Sequence, residues 1–190
     1  MTSEGDGLLG RVVASIASSV DPAASGQPQK SILNQAASAY ARKPSGAEST
    51  IPTGFDPRAA SLFEAVVEAA FLVANADGDF DDAERQIFER VVHEACQNTV
   101  QRGDVSALVS DLLEQLQEDG VEGRIKMVSG IIDSAEHAHE VLRIAALMAH
   151  ISGGVDATER TVMDQLATGF GLDRASVQSA LDQAAHALAT

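Results

Sequence analysis

The sequence predicts an all-α protein: a compact bundle of about seven helices built from two pseudo-symmetric helical hairpins, preceded by an N-terminal arm. Three observations carry that expectation. Apolar residues make up 45% of the chain but aromatics only 4%, with no Trp and one Tyr. A core must then be assembled from Ala, Val, Leu and Ile, which suits close-packed helices better than a β-sandwich. Beyond residue 55 the apolar residues recur at i, i+3 and i+4, the period of a helix with one buried face. Finally, one pattern is written twice. Residues 71–92, FLVANADGDFDDAERQIFERVV, align with residues 146–167, ALMAHISGGVDATERTVMDQLA, so that Gly78, Phe80, Asp81, Glu84 and Arg85 fall on Gly153, Val155, Asp156, Glu159 and Arg160. Each copy reads as a buried helix, a glycine turn, an acidic cap and a second helix, and two such hairpins can bury each other's apolar faces.

Taken in order, residues 1–54 hold two short amphipathic stretches, Leu9/Val12/Val13/Ile16/Val20 and Ile32/Leu33/Ala36/Tyr40. Each is short for a helix that must stand alone in water, so both are expected to dock on the core, on a partner or on a second copy. Lys43 to Gly54 has the Pro, Ser, Gly and Thr content of a linker. The domain is therefore placed at 55–190, and a chain lacking 1–54 is expected to fold. Asp56-Pro57 is an N-cap followed by proline at the first helical position. Leu62, Phe63, Val66, Val67, Ala70 and Ala74 then line one face, with Glu64 and Glu68 directed elsewhere. After a break at Asp77-Gly78, a second helix runs from about Asp82 with Ile87, Phe88, Val91 and Val92 inward. Further helices are expected at about 104–118, 121–135, 137–151, 157–169 and 174–188. Asp104, Asp156 and Asp173 are placed as N-caps, and Gly153 and Gly171 as helix stops.

Charge narrows the function. The formal net charge is −15. In residues 1–54 four basic residues (Arg11, Lys30, Arg42, Lys43) cancel four acidic ones (Glu4, Asp6, Asp21, Glu48), so residues 55–190 carry the whole excess. Such a field repels nucleic-acid phosphates and anionic lipid, and attracts cations and basic protein partners. The single cysteine, Cys96, allows no internal disulfide. No apolar run reaches the roughly 18 residues of a membrane span; the best, Val141 to Ile151, contains Arg143 and His150. No basic leader with a cleavage site opens the chain, and a cytoplasmic location is expected. G-x-S-x-G, H-E-x-x-H and the phosphate-binding glycine motifs are missing, so no enzyme is expected.

The acidic turns are the candidate site. With Glu84 at position 12 of a calcium-loop pattern, Gly78 falls at 6, Phe80 at 8, and Asp77, Asp79 and Asp81 at 5, 7 and 9. Val73 occupies position 1 and cannot ligate. In the second copy Gly153, Val155 and Glu159 keep their places, but Met148 stands at 1 and Gly154 at 7. Asp77, Asp79, Asp81, Glu84, Asp156 and Glu159 are thus candidate ligands for a hard divalent cation: calcium, magnesium or manganese. The same spacing has another reading. Asp81-x-x-Glu84 and Asp156-x-x-Glu159 match a capping box, which needs no metal. Capping leaves Asp77 and Asp79 unexplained, and five carboxylates at 77, 79, 81, 82 and 84 repel one another. His93 and Cys96 form a weaker candidate pair; His137 and His139 read as a solvated face.

Ala76-Asp77-Gly78 followed by Glu84, with a weaker copy at Gly153 and Glu159, resembles the tellurite-resistance TerB family over residues 55–190. The second copy departs from the pattern at Ser152, where the first has Asp77. The resemblance implies an all-α fold of about seven helices, a part in tellurite or other chemical-stress responses, acidic residues suspected of holding a metal, and no catalysis. The alternatives are a metal-free scaffolding adaptor and a metal-dependent hydrolase, in which a carboxylate-held ion activates water.

Overall fold

The computed structural model describes residues 3–18, 30–43, 55–152 and 154–189. Eight helices follow one another there: α1 (Ser3–Ala17), α2 (Ile32–Tyr40), α3 (Pro57–Ala74), α4 (Asp82–Ala95), α5 (Arg102–Ile131), α6 (Ala135–Ala149), α7 (Ala157–Gly169) and α8 (Arg174–Ala189). No strand occurs among the described residues; one isolated bridge joins Ser18 and Lys30. The all-α expectation is met. The segments expected at 104–118 and 121–135 are the two limbs of α5, divided at Gly120, whose φ of +69° no helix accommodates.

Local chemistry sets the helix ends. Asp56 accepts from the amides of Arg58 and Ala59, with Pro57 at the first position of α3. Asp173 accepts from the amide and hydroxyl of Ser176 at the start of α8. After α7 the amide of Leu172 returns to the carbonyl of Ala167 at 2.8 Å, and Gly171 supplies the left-handed residue this closure needs, with φ +73°. Asp104 is not a cap: Gln101 is the N-cap of α5, and Asp104 lies inside its first turn, where a carboxylate favours the helix dipole. Gly153 and Val20 lie outside the described residues.

Helices α3 and α6 pack against each other at the centre, and α2, α5, α7, α8 and α1 cover them. Residues 141–149 of α6 are buried without a gap. The apolar run that came closest to a membrane span is therefore the core helix, and no helix of the described residues is long and apolar enough to cross a membrane. Phe71, Phe80 and Phe88 meet edge-to-face at 5.4–6.3 Å and lock α3, its following turn and α4 together. The arm docks on this core: Leu9, Val12 and Ile16 of α1 and Ile32, Leu33, Ala36, Ala37 and Tyr40 of α2 are buried in the same cluster as α3–α8.

Two buried polar groups hold distant elements. Glu68, expected to point away, is 5% exposed and takes both Nε and Nη2 of Arg124, at 2.5 and 2.9 Å. Arg124 also donates to Asp119 at 2.9 Å, which ties the two limbs of α5 across Gly120. Arg143 on α6, 5% exposed, donates to the carbonyls of Ser15 and Ser18 at the end of α1. Glu140, one turn before it, accepts from the amide of Ile32 at the start of α2. Burial raises the Glu140 pKa and lowers that of Arg143, and their mutual attraction opposes both shifts.

Removing Glu68 strands a buried guanidinium, so Glu68→Ala should lower the unfolding free energy by about 3–5 kcal/mol in a urea titration. Asp119 is half exposed, and Asp119→Ala should cost under about 1 kcal/mol. On α2, Leu33→Ala should cost about 2–5 kcal/mol; a loss near zero would remove α2 from the cooperative unit.

Candidate functional site: the paired acidic turns

In the first hairpin α3 ends at Ala74 with Asn75 as its C-cap, and the amide of Gly78 closes onto the Asn75 carbonyl at 3.1 Å. Gly78, with φ +80°, reverses the chain. The Asp77 carboxylate accepts the amide of Asp79 at 3.0 Å, a turn that both acidic residues build from their own atoms. Phe80 is pinned between Phe71 and Phe88, which delivers Asp81 to the start of α4. There Asp81 accepts the amides of Ala83 and Glu84 at 2.7 and 2.8 Å, and Glu84 accepts that of Asp81 at 3.2 Å.

The second hairpin repeats this arrangement. Helix α6 runs into a 3-10 turn, His150–Ser152, and Gly154 supplies the left-handed residue with φ +108°. Asp156 accepts the amides of Thr158 and Glu159 at 2.6 and 2.8 Å, while Glu159 accepts that of Asp156 at 2.8 Å. Both capping boxes expected from the spacing are closed.

The two boxes differ in their surroundings. Glu84 is half-buried, whereas Glu159 is 8% exposed. Burial, then the carboxylates of Asp156 and Asp77, push the Glu159 pKa up, against the pull of its hydrogen bond from the Asp156 amide and of His150. The two turns meet at one pocket, to which Phe80 and Glu84 of the first hairpin and Met148 and Ile151 of the second contribute. The six candidate ligands are thus joined in pairs: Asp81 with Glu84, Asp156 with Glu159, and Asp77 with Asp79. Among the described residues no group of three or more His, Cys, Asp or Glu has a geometry that could hold a metal ion. His93 and Cys96 do not form a pair open to a ligand. The His93 ring nitrogen meets the Val100 carbonyl at 2.8 Å, and burial pushes the Cys96 thiol up to about 12, far from a ready thiolate.

Beside Glu84 the structure holds a feature that the sequence reading missed: an apolar pocket between the hairpins, floored by Phe88 and Met148 and walled by Phe80, Ile87 and Ile151. Ile87, expected inward, is 39% exposed at this pocket. The signal was available. Phe88, Val91, Val92 and Ala95 complete the i, i+3, i+4, i+7 stripe of α4 without Ile87, which stands at its edge. Comparison of the chain with family models, with curated proteins and with solved structures finds no match.

Two substitutions separate the charges at this site. Asp81→Ala removes a cap and should cost about 1 kcal/mol without any ion present. Glu159→Gln keeps the cap acceptor but removes the titration. With its folded pKa raised, Glu159 binds its proton more tightly in the folded state, so its contribution to stability falls as pH rises from the ordinary carboxylate range through the folded pKa. The stability of the Gln variant relative to the parent should therefore rise between pH 4 and pH 7 in paired urea titrations. A constant difference would show that burial does not perturb Glu159.

Proposed function

We propose that this chain is a non-enzymatic, TerB-like stress-response module of the cytoplasm, serving tellurite or other chemical stress, and that it acts by binding a protein partner where its two hairpins meet. The observation that carries the reading is the half-exposed Ile87 at an apolar pocket whose edge is Glu84, in a chain of net charge −15. Ile87 stands with Phe80 and Ile151 around one apolar depression rather than alone, and an acidic border selects a partner whose anchor is apolar and whose flanks are basic. Support for the TerB-like part is the duplicated hairpin itself, with a capping box in each copy. In this reading Asp81, Glu84, Asp156 and Glu159 fix the turns that frame the pocket.

A divalent cation, calcium, magnesium or manganese, is the second reading. The observation in its favour is the run of exposed carboxylates at Asp77, Asp79, Asp81 and Asp82 beside the half-buried Glu84, a repulsion that a cation would relieve. A metal-dependent hydrolase would need that same ion, and the metal-free adaptor would need none.

The partner reading is tested with two synthetic amphipathic helical peptides that share an apolar face and carry either Lys/Arg or Glu on the other. The basic peptide should bind at least about tenfold more tightly, weaken as salt rises, and lose binding to the Ile87→Asp variant. Equal binding of both peptides, or indifference to Ile87→Asp, would overturn it. The cation reading is tested by thermal unfolding with chelator and with each ion at millimolar concentration. An ion-dependent rise that follows mass action and is lost in Glu84→Gln would establish it. Gln serves a capping box as well as Glu but is a far poorer ligand for a hard cation. Turnover of a phosphoester that requires the same ion would move the assignment to a hydrolase.

A further inference from the structure

Helix α4 packs one face against α1 and α5 and presents another to solvent. Phe88, Val91, Val92 and Ala95 lie inward, while Asp82, Ala83, Gln86, Ile87 and Arg90 are exposed. Ile87 stands between two depressions. One is the apolar pocket with Phe80 and Ile151, which Glu84 edges. The other is lined by Ala83, Gln86, Glu89, Arg90 and Arg102, with Ile87 itself. The charge bordering Ile87 therefore changes sign along the helix. Before it come the carboxylates of Asp81, Asp82 and Glu84; after it come Arg90 and, from the start of α5, Arg102.

The other charges of α4 do not cancel this asymmetry. Arg85 turns away from the acidic turn: its Nε donates to Glu89 at 2.7 Å, and its Nη2 donates to the Ser106 carbonyl and the Ser110 hydroxyl on α5. Glu89 is thereby neutralised within its own helix. Asp81, Asp82 and Glu84 form no ion pair among the described residues. Arg90 gives its Nε to Glu94 at 2.8 Å, and its Nη1 lies 3.8 Å from the exposed Asp6, so the guanidinium keeps donors that face outward.

A face that is acidic on one side of an apolar residue and basic on the other is complementary to itself when turned end for end. Let two copies of α4 run antiparallel about a two-fold axis at Ile87. Ile87 then meets Ile87 of the second copy, and Glu84, one turn before the axis, meets Arg90, one turn after it. Symmetry makes that ion pair twice, around an apolar centre. Ala83 has no side chain beyond Cβ to hold the helices apart.

We propose that the partner bound at this pocket is a second copy of the same chain, paired through α4 in that antiparallel register. The proposal rests on the partner reading above for the place of binding and supplies the occupant: the apolar anchor is the second Ile87, and its basic flank is Arg90 with Arg102. A second copy answers both signs of charge around Ile87 at once. The net charge of −15 on each copy opposes association, and a face built on one helix is small, so the pairing is weak.

Sedimentation velocity on the full chain from about 5 to about 500 µM should show a monomer–dimer equilibrium. Ile87→Asp should abolish it. Arg90→Glu and Glu84→Arg should each weaken pairing at least about tenfold, because each sets like charges opposite one another at both ends. An equimolar mixture of those two variants should pair again, since every charge then meets its opposite. Arg90→Glu leaves both capping boxes intact, and a thermal melt shows whether Glu84→Arg keeps its fold; should it unfold, Arg90→Glu and Ile87→Asp decide without it. A parent chain that stays monomeric overturns the second copy, as does a dimer indifferent to Ile87→Asp or Arg90→Glu. Two folded variants that do not pair when mixed overturn the antiparallel register. A monomer that binds the basic peptide overturns self-pairing and keeps the partner reading. A chain that pairs, yet binds neither peptide when dilute enough to be monomeric, overturns the separate basic partner and keeps the second copy.

Discussion

A helix buried on all sides must be covered on all sides, and α6 imposes that requirement on the rest of the molecule. From Val141 to Ala149 every residue of α6 is buried, so one amphipathic neighbour could not have satisfied it. Helix α3 takes one side, and α7, α8 and α1 close the others. The low aromatic content follows from this geometry. Ala145, Ala146 and Ala149 on α6, with Ala65, Ala69 and Ala70 on α3, bury small side chains that let backbones approach closely. The aromatic cluster stands to one side, where Phe71, Phe80 and Phe88 fill the larger space between a helix, a turn and the next helix. Arg143, a cation in the middle of the buried run, is accommodated because the end of α1 offers it carbonyl oxygens.

What the sequence made legible was what depends on near neighbours. The caps at Asp56, Asp81, Asp156 and Asp173 need a side chain and an amide two or three residues on, and all four were readable as such. The division of α5 was also legible, since a glycine between two periodic stretches marks a break. Asp104 misled because an acidic residue near a helix start suits both the cap and the first turn, and only backbone geometry separates the two. Glu68 and Arg143 were out of reach for another reason. A charged residue inside an apolar pattern reads as an interruption until its partner is known, and the partners lie 56 and 128 residues away.

The candidate site shows the same division on a smaller scale. The spacing of Asp81 with Glu84 and of Asp156 with Glu159 was compatible with a cap and with ligation, because a carboxylate accepts from an amide as readily as it binds a cation. The structure fills the first role in both copies. The turns then diverged under different burial. The second keeps Glu159 inside and lacks the carboxylate that Asp77 contributes to the first, while the first leaves Asp77 and Asp79 exposed. A duplicated hairpin has thus kept its backbone chemistry while its two surfaces took on separate characters. The pocket between them belongs to neither copy and could not be read from either alone.

The reach of Arg143 also constrains how the chain is made. Helix α1 leaves the ribosome well before α6, and the guanidinium that anchors it is encoded 128 residues after Ser15. At 5–20 residues per second this is an interval of about 6–25 s. Glu140, which receives the amide of Ile32, arrives 108 residues after its own target. During that interval α3 and α4 are already made and offer α2 and α1 part of their seat, but the side that α6 supplies to Leu9, Val12 and Ile16 is still missing. A translational pause just upstream of residue 140 would lengthen the exposure, and chaperones that hold short apolar segments would find the nascent arm before the core does.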